Sequence, residues 1–308
     1  MSRATPELAF VALGGAGEIG MNLNLYGYGR PPEGHQWLMV DLGVTFGDGS
    51  IPGVDVITPD PAFIVQRRDR LLGLVLTHAH EDHLGAVPYL WQRLGCPIWA
   101  TPFTVSILTR KLREAGLDGQ VPIHTVPLGG RVTIGPFDVE LVTVTHSIPE
   151  PNALAIRTPL GTIVHTGDWK FDPAPVVGPL SDEEALRKLG DEGVLAIVCD
   201  STNVFTPGVS GSEADLEKTL TDLIGESEGR VAVACFAGLA VGYWHDATAG
   251  RGQRRQPTCT TPERGRQVAA ASGHGCGPRP SGVKCPHRLR RAGGRGQTSA
   301  DLAETQSR

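Results

Sequence analysis

The run Thr-His-Ala-His-Glu-Asp-His, at positions 77–83, has the residue types and the spacing of a metal site. Three histidines and an aspartate lie within six residues, directly after the apolar run LLGLVL, which predicts a buried strand. Side chains at the end of a buried strand can point toward one place, and neutral imidazole and carboxylate are suitable ligands for Zn²⁺ or Mn²⁺. The pattern therefore predicts a metal site that includes His78, His80, Asp82 and His83.

The motif His-x-His-x-Asp-His resembles the hallmark of the metallo-β-lactamase superfamily, and the wider sequence is similar to the ribonuclease J family of its β-CASP branch. The resemblance covers about residues 8 to 237, and four further motif residues follow in the family's order: Asp41 in WLMVDLG, His146 in TVTHSIPEPNALAI, Asp168 in IVHTGDWKFD and Asp200 in IVCDSTN. The run HSIPE favours this family over hydrolases of small molecules.

The resemblance implies two divalent ions, with Zn²⁺ as the first expectation and Mn²⁺ as the alternative. The six expected ligands form two groups that share one aspartate: His78, His80 and His146 for one ion, Asp82 and His83 for the other, and Asp168 as the bridge. Asp41 would lie behind the ligands and orient an imidazole. Asp82 and Asp200 would be catalytic, Asp82 by holding the attacking water in line and Asp200 in protonation of the leaving group.

The activity implied is hydrolysis of RNA phosphodiester bonds by a metal-activated water, as a 5′ exonuclease, an endonuclease or both. Two alternatives stay open. One is a hydrolase of the same fold that acts on a thioester or lactone, although the last ligand histidine and closing strands that it needs soon after residue 200 are not found. The other is an inactive fragment whose basic tail binds nucleic acid.

The elements that would position these residues are mostly strands. Six apolar runs, most of them bounded by Gly, Pro or Asp, predict strands: LAFVAL, WLMVDLG, LLGLVLTH, VELVTVTH, GTIVHTG and LAIVCD. Three stretches have helical spacing: 84–94 with an internal proline, 103–115, and 212–224 with a Ser212 cap and an apolar face at Leu216, Leu220 and Leu223. This order favours a sheet-dominated α/β fold, and the resemblance makes it a metallo-β-lactamase-like αββα sandwich that we expect to be incomplete at the C-terminus.

Composition divides the chain of 308 residues near position 237. The first 237 residues carry 16 basic and 29 acidic groups, whereas the last 71 carry 11 Arg and 1 Lys against 4 acids. Residues 238–297 contain no Ile, Phe or Met and show no sustained hydrophobic period, so they cannot offset the entropy of ordering. We interpret residues 238–308 as a disordered, non-native tail, the product of a shift in reading frame.

The predicted domains are therefore a metallo-β-lactamase domain at 1–205, the start of a β-CASP domain at 206–237, and the tail. Two histidine-bearing motifs of the family are missing; one would complete the second metal site and the other would work with Asp200. We expect the activity of this chain to be impaired for that reason. Homo-oligomers are possible in the full-length family but are not expected for this chain.

The expected location is cytoplasmic. No apolar run approaches the roughly 18 residues of a membrane span, and no secretion signal is recognised. Cys96, Cys199 and Cys235 are predicted to be small buried thiols of a reducing compartment. Gly15, Gly17 and Gly20 have the spacing of a dinucleotide-binding motif. That motif requires a helix directly after the glycines, but the residues that follow alternate like a strand, so we do not expect nucleotide binding here.

Overall fold

The structure, a computed structural model, describes residues 5–31 and 34–228. The strands of these ranges are β1 Glu7–Gly14, β2 Leu23–Arg30, β3 Gly34–Val40, β4 Thr45–Phe46, β5 Val56–Ile57, β6 Leu71–Val75, β7 Ile98–Ala100, β8 Ile123–Thr125, β9 Arg131–Ile134, β10 Phe137–Thr143, β11 Asn152–Thr158, β12 Gly161–His165 and β13 Ala196–Val198. The α-helices are α1 Ala62–Val65, α2 Glu81–Leu84, α3 Val87–Leu94, α4 Pro102–Glu114, α5 Glu183–Glu192 and α6 Glu213–Glu226.

Two large sheets contain most of the strands. Sheet I has the order β1-β2-β3-β6-β7-β8. The pairs β1–β2 and β2–β3 are antiparallel, and the pairs β3–β6, β6–β7 and β7–β8 are parallel. Sheet II has the order β13-β12-β11-β10-β9 and is antiparallel except for the parallel pair of β12 and β13. Strands β4 and β5 form a separate small ribbon.

Alternation along the strands produces four layers. In β3, Leu38 and Val40 face sheet II and enter a core with β10, β11 and β12, while Trp37 and Met39 face the opposite way and pack with α3 and α4. Sheet II repeats this arrangement, because Ala153 and Ala155 of β11 point away from sheet I and pack with Leu189 of α5. The layers are helices, sheet I, sheet II and a helix, which confirms the predicted αββα sandwich.

The six predicted strands are confirmed, and so are helices in the three predicted stretches. The stretch 84–94 is corrected, because it contains the end of α2 and a separate helix, α3. Pro88 is the second residue of α3. A new helix begins here because proline is tolerated in the first turn of a helix but not in its interior. Sequence reasoning missed α5 and β11. Two of the three leucines of the predicted apolar face of α6 are exposed, Leu216 at 53% and Leu223 at 57%, whereas Leu220 is half-buried.

Three smaller expectations concern cysteine, glycine and the membrane. Cys96 is buried as predicted, but the prediction for Cys199 is wrong, because it follows edge strand β13 and lies exposed. The loop 15–20, with its three glycines at positive φ, leads into strand β2 and not into a helix, as expected. No helix in the described ranges is long and apolar enough to cross a membrane. Cys235 and the tail 238–308 lie outside the described residues, and the predicted domain boundaries stay a prediction.

Candidate metal centre

The carboxyl ends of two parallel strands bring the first site residues together. Strands β3 and β6 pair in register up to Val40 and Val75, so the residues that follow them emerge at the same edge of sheet I. The backbone N–H of Asp41 then donates to the carbonyl of Val75 at 3.0 Å. The histidine motif begins at His78, three residues after Val75, and α2 starts within it at Glu81.

One set of donor atoms is formed by His78, His80, His146 and Asp168, which we call the first ligand group. Nδ1 of His80 lies 3.1 Å from Nε2 of His78 and 3.2 Å from Nε2 of His146, and Nε2 of His146 lies 3.6 Å from Oδ2 of Asp168. His146 comes from the loop after β10, and Asp168 from the loop after β12. Sheet II therefore completes a group that sheet I begins.

Asp82, His83 and Asp168 form the second ligand group. Nε2 of His83 lies 3.2 Å from Oδ1 of Asp168 and 3.5 Å from Oδ2 of Asp82. The two oxygens of Asp168 thus face different groups, Oδ1 toward His83 and Oδ2 toward His146. This is the arrangement expected of a carboxylate that bridges two ions.

These separations fit divalent ions. Two donor atoms that each lie about 2.0–2.1 Å from one tetrahedral ion are about 3.3 Å apart, and the observed separations of 3.1 to 3.6 Å bracket that value. The first ligand group offers three imidazoles and a carboxylate, a donor set suited to Zn²⁺. The cluster is therefore able to bind metal ions.

A buried network behind the second ligand group orients His83. Asp41 is fully buried; its Oδ2 accepts hydrogen bonds from Nδ1 of His83 at 2.7 Å and from Oγ1 of Thr77 at 2.8 Å, and its Oδ1 accepts from the backbone N–H of Thr77 at 2.8 Å. With its proton on Asp41, the Thr77 hydroxyl is free to accept Nδ1–H of His78 at 3.0 Å. That tautomer leaves Nε2 of His78 with its lone pair toward the first ligand group.

The histidines of the first ligand group are held neutral. Burial lowers the pKa of His80 to about 4 and the pKa of His78 well below its usual range, with further lowering by neighbouring histidines. Burial also lowers the pKa of His146. At neutral pH these three imidazoles carry free lone pairs, which is the form that a metal ion requires.

The second ligand group has the opposite electrostatic character. Burial opposes the charge on His83, but the Asp41 carboxylate and hydrogen bonds with Asp168, Asp41 and Asp82 outweigh burial and raise its pKa well above the usual value. Burial also opposes the charge on Asp168, but the hydrogen bond and charge of His83 prevail and lower its pKa to about 2. A protonated His83 and two carboxylates therefore share this part of the centre.

Asp200 lies near this cluster but makes its own local turn. Its backbone N–H donates to Oγ1 of Thr166 at 3.0 Å, and its Oδ1 accepts from the backbone N–H and hydroxyl of Thr202 at 2.9 and 2.8 Å. Among the described residues, no histidine bonds to its carboxylate. The structure thus brings all six predicted ligands and Asp41 together and leaves Asp200 beside them.

Sequence reasoning missed several residues that support the centre. The side-chain amide of Asn22 donates to the backbone carbonyl of Asp82 at 3.1 Å and lies 3.2 Å from Nε2 of His83. Glu150 accepts the backbone N–H of Phe103 at the start of α4, which fixes the loop that carries His146. Gly43 lets the chain after β3 approach α2, since a Cβ there would overlap the carbonyl of Asp82. Gly43 and Glu150 lie in the runs WLMVDLG and HSIPE, which were quoted for other residues, and Asn22 ends the run GGAGEIGMN, which resembles a loop of the family near the metals.

Two packed sheets between helices, with histidines and a shared aspartate at the strand ends, define a metallo-β-lactamase domain. Residues 52–188 match the family model described as "Beta-lactamase superfamily domain", so this part of the chain is a domain of the metallo-β-lactamase fold. A solved structure of a protein of unknown function from Enterococcus faecalis V583 has the same fold, with a TM-score of 0.56 and 17% identity over 82% of this chain and 64% of that chain.

Curated proteins named Ribonuclease J are much more similar in sequence. The chain is 53% identical over 232 residues to that of Sinorhizobium meliloti, which covers 75% of this chain and 41% of the relative. The corresponding protein of Corynebacterium glutamicum is 44% identical over 232 residues, or 75% of this chain and 31% of the relative. The chain thus spans about two fifths or less of the length of these relatives.

Proposed function

We propose that this chain carries the metal centre of a metal-dependent ribonuclease that hydrolyses RNA phosphodiester bonds. The observation that carries the proposal is the position of Asp168, whose two oxygens face the two ligand groups. The RNA substrate is supported by the relatives named Ribonuclease J, and it makes the cytoplasm the expected place of action.

We assign His78, His80, His146 and Asp168 to one ion, and Asp82, His83 and Asp168 to the other. Two bound ions would supply a water of lowered pKa and positive charge to neutralise the phosphate oxygens. The first ligand group offers four donors, whereas the second offers three among the described residues, so we expect the first to hold its ion more tightly. Zn²⁺ is the proposed metal and Mn²⁺ the alternative.

Two carboxylates have catalytic roles in this proposal. The side chain of Asp82 is 30% exposed, so it can accept a hydrogen bond from the attacking water and hold that water in line with the phosphorus. Asp200 is assigned to protonation of the leaving oxygen. Since its carboxylate is bonded only within its own turn in the described region, we expect this chain to turn over slowly.

The proposal is tested with the full chain by elemental analysis of bound metal and by cleavage of RNA. Linear RNA with a 5′ monophosphate reports both exonuclease and endonuclease activity, whereas circular RNA reports only the latter. Asp82→Asn should abolish cleavage with little change in fold, because the amide keeps the shape of the side chain but is a weaker acceptor. Asp118→Asn, on the exposed surface beside Arg113, is the matched control and should cleave as the original chain does.

Two outcomes would overturn the proposal, and a third would remove one of its assignments. Absence of bound metal would remove the centre. Bound metal with hydrolysis of a thioester or lactone but no cleavage of RNA would favour a small-molecule hydrolase. RNA cleavage that survives Asp82→Asn unchanged would remove the role of Asp82.

A further inference from the structure

Asp172 is a buried carboxylate outside both ligand groups, four residues beyond Asp168. Its side chain is 1% exposed. Oδ1 accepts hydrogen bonds from the hydroxyl of Ser212 at 2.6 Å and from the backbone N–H of Ala174 at 3.0 Å. Oδ2 accepts from the backbone N–H of Glu213 at 2.9 Å and lies 3.0 Å from the ammonium of Lys170. Four donors from two separate parts of the chain therefore meet on one carboxylate.

Two of those donors belong to the start of α6. Ser212 is the N-cap residue of this helix, and Glu213 is its first residue. A carboxylate at this position satisfies N-terminal groups and is favoured by the helix dipole. Two further contacts join the same segments: the backbone N–H of Val176 donates to the buried carboxylate of Glu213 at 3.2 Å, and Lys170 Nζ donates to the carbonyl of Gly211 at 3.3 Å.

The backbone of Asp172 is bonded in the other direction, toward the segment that carries His146. Its N–H donates to Oγ1 of Thr145 at 3.0 Å, and Thr145 directly precedes His146. Thr145 is 4% exposed, its carbonyl accepts the N–H of Lys170 at 2.8 Å, and its hydroxyl donates to the carbonyl of Lys170. Thr145 and Lys170 form an isolated β-bridge, so the segments that carry His146 and Asp168 are joined at this point.

We infer that Asp172 is a positioning residue that couples the docking of α6 to the placement of His146 and Asp168. This inference rests on the proposed metal centre. With the carboxylate present, the start of α6, the loop after Asp168 and the segment before His146 share one arrangement in which their hydrogen bonds are satisfied. Without it, the donors of Ser212, Ala174, Glu213 and Lys170 lose the buried acceptor that they share, so the loop that follows Asp168 has to rearrange to find others.

The test compares Asp172→Ala and the milder Ser212→Ala in the full chain. Co²⁺ is used as the metal, because its visible spectrum reports the geometry of the ligands. We expect both variants to shift the spectrum and weaken Co²⁺ affinity, by about 10- to 100-fold for Asp172→Ala, the range for residues that support metal ligands. In the metal-free protein, Asp172→Ala should also speed hydrogen exchange at the amide of Lys170.

Asp182→Ala is the matched control. Asp182 is the N-cap of α5, and its side chain accepts the N–H of Ala185 at 2.9 Å. Alanine at this position removes the helix cap but keeps the backbone N–H that Asp182 donates to the carbonyl of Thr143. We expect Asp182→Ala to lower stability by about as much as Ser212→Ala, which also removes a helix cap, and to leave the cobalt spectrum unchanged. A conservative Ser212→Thr variant should restore the spectrum that Ser212→Ala shifts, because it keeps the hydroxyl.

The outcomes separate this inference from the proposed function. The inference is overturned if Asp172→Ala and Ser212→Ala both keep the cobalt spectrum and the Co²⁺ affinity of the original chain. It is also overturned if Asp182→Ala shifts the spectrum as much as they do. An original chain that takes up no Co²⁺ would overturn the inference together with the metal centre. Co²⁺ uptake with the expected shifts, but without RNA cleavage, would support the inference and remove only the proposed substrate.

Discussion

The first and second ligand groups share Asp168 but differ in how the fold prepares them. The first ligand group holds three imidazoles that burial keeps neutral, whereas the second holds His83 protonated among three carboxylates, Asp41, Asp82 and Asp168. Without metal, the His83 proton supplies part of the positive charge that an ion would bring. The first ligand group is therefore ready to bind as folded, while the second has to exchange a proton for the metal.

The largest expected effect comes from removing what the two groups share. Asp168→Ala should weaken binding at both, because each loses one of its oxygens. We expect metal affinity to fall by more than about 100-fold, since even residues behind the ligands cost about 10- to 100-fold. Titration with Zn²⁺ against a chelator measures this. A loss of Zn²⁺ affinity at only one ligand group would show that Asp168 does not bridge the two.

Removing the support of the second ligand group should be costly even without metal. Asp41→Ala leaves protonated His83 and the Thr77 donors without their buried acceptor, and we expect a loss of about 3 kcal/mol or more. Asp138→Ala, which breaks a partly exposed pair with Arg131, should cost about 1 kcal/mol or less. Urea unfolding of the two metal-free variants measures the free energy of unfolding. Equal losses in Asp41→Ala and Asp138→Ala would show that Asp41 is no more important to stability than a partly exposed ion pair.

The metal-free groups should also respond to pH in opposite directions. The folded pKa of His80 is lowered to about 4, so its stabilisation is present above its usual value of 6.5 and is lost as pH falls from 6.5 toward 4. The folded pKa of His83 is raised, so its stabilisation is present below 6.5 and is lost as pH rises through the raised value. His80→Asn should flatten the acid loss and His83→Asn the alkaline loss, as measured by urea unfolding across pH. Identical profiles for the two variants would remove the distinction.

The smallest expected effect concerns Asn22, which supports only the second ligand group. Asn22→Ala removes the amide bond to the carbonyl of Asp82, and we expect a loss of about 1 kcal/mol. Metal affinity should fall at the second ligand group and not at the first. Asn203→Ala, in an exposed turn, should cost less than about 0.5 kcal/mol. Weaker binding at the first ligand group would show that the two groups are less independent than described.

The local sequence pattern predicted those helices and strands that depend on residues close together in the chain. The apolar run before Thr77 predicted β6, and the spacing of Phe103, Leu108 and Leu112 predicted α4, since strand alternation and helical periodicity are short-range signals. The stretch of α5 had a comparable signal in Asp182 and its following acids, which sequence reasoning did not use. The apolar face of α6 was visible in sequence, but its exposure depends on what packs nearby.

The residue chemistry and the close spacing of His78, His80, Asp82 and His83 are local properties, so the sequence alone indicates that these side chains can bind a metal. Family resemblance extended that set to Asp41, His146 and Asp168. The distances between them, the division into a neutral and a charged group, and the bonds of Asp172 to α6 arise only in the folded chain. These depend on burial and on contacts between residues tens of positions apart, such as Asp41 with His83 or Asp172 with Ser212, and no short-range pattern encodes them.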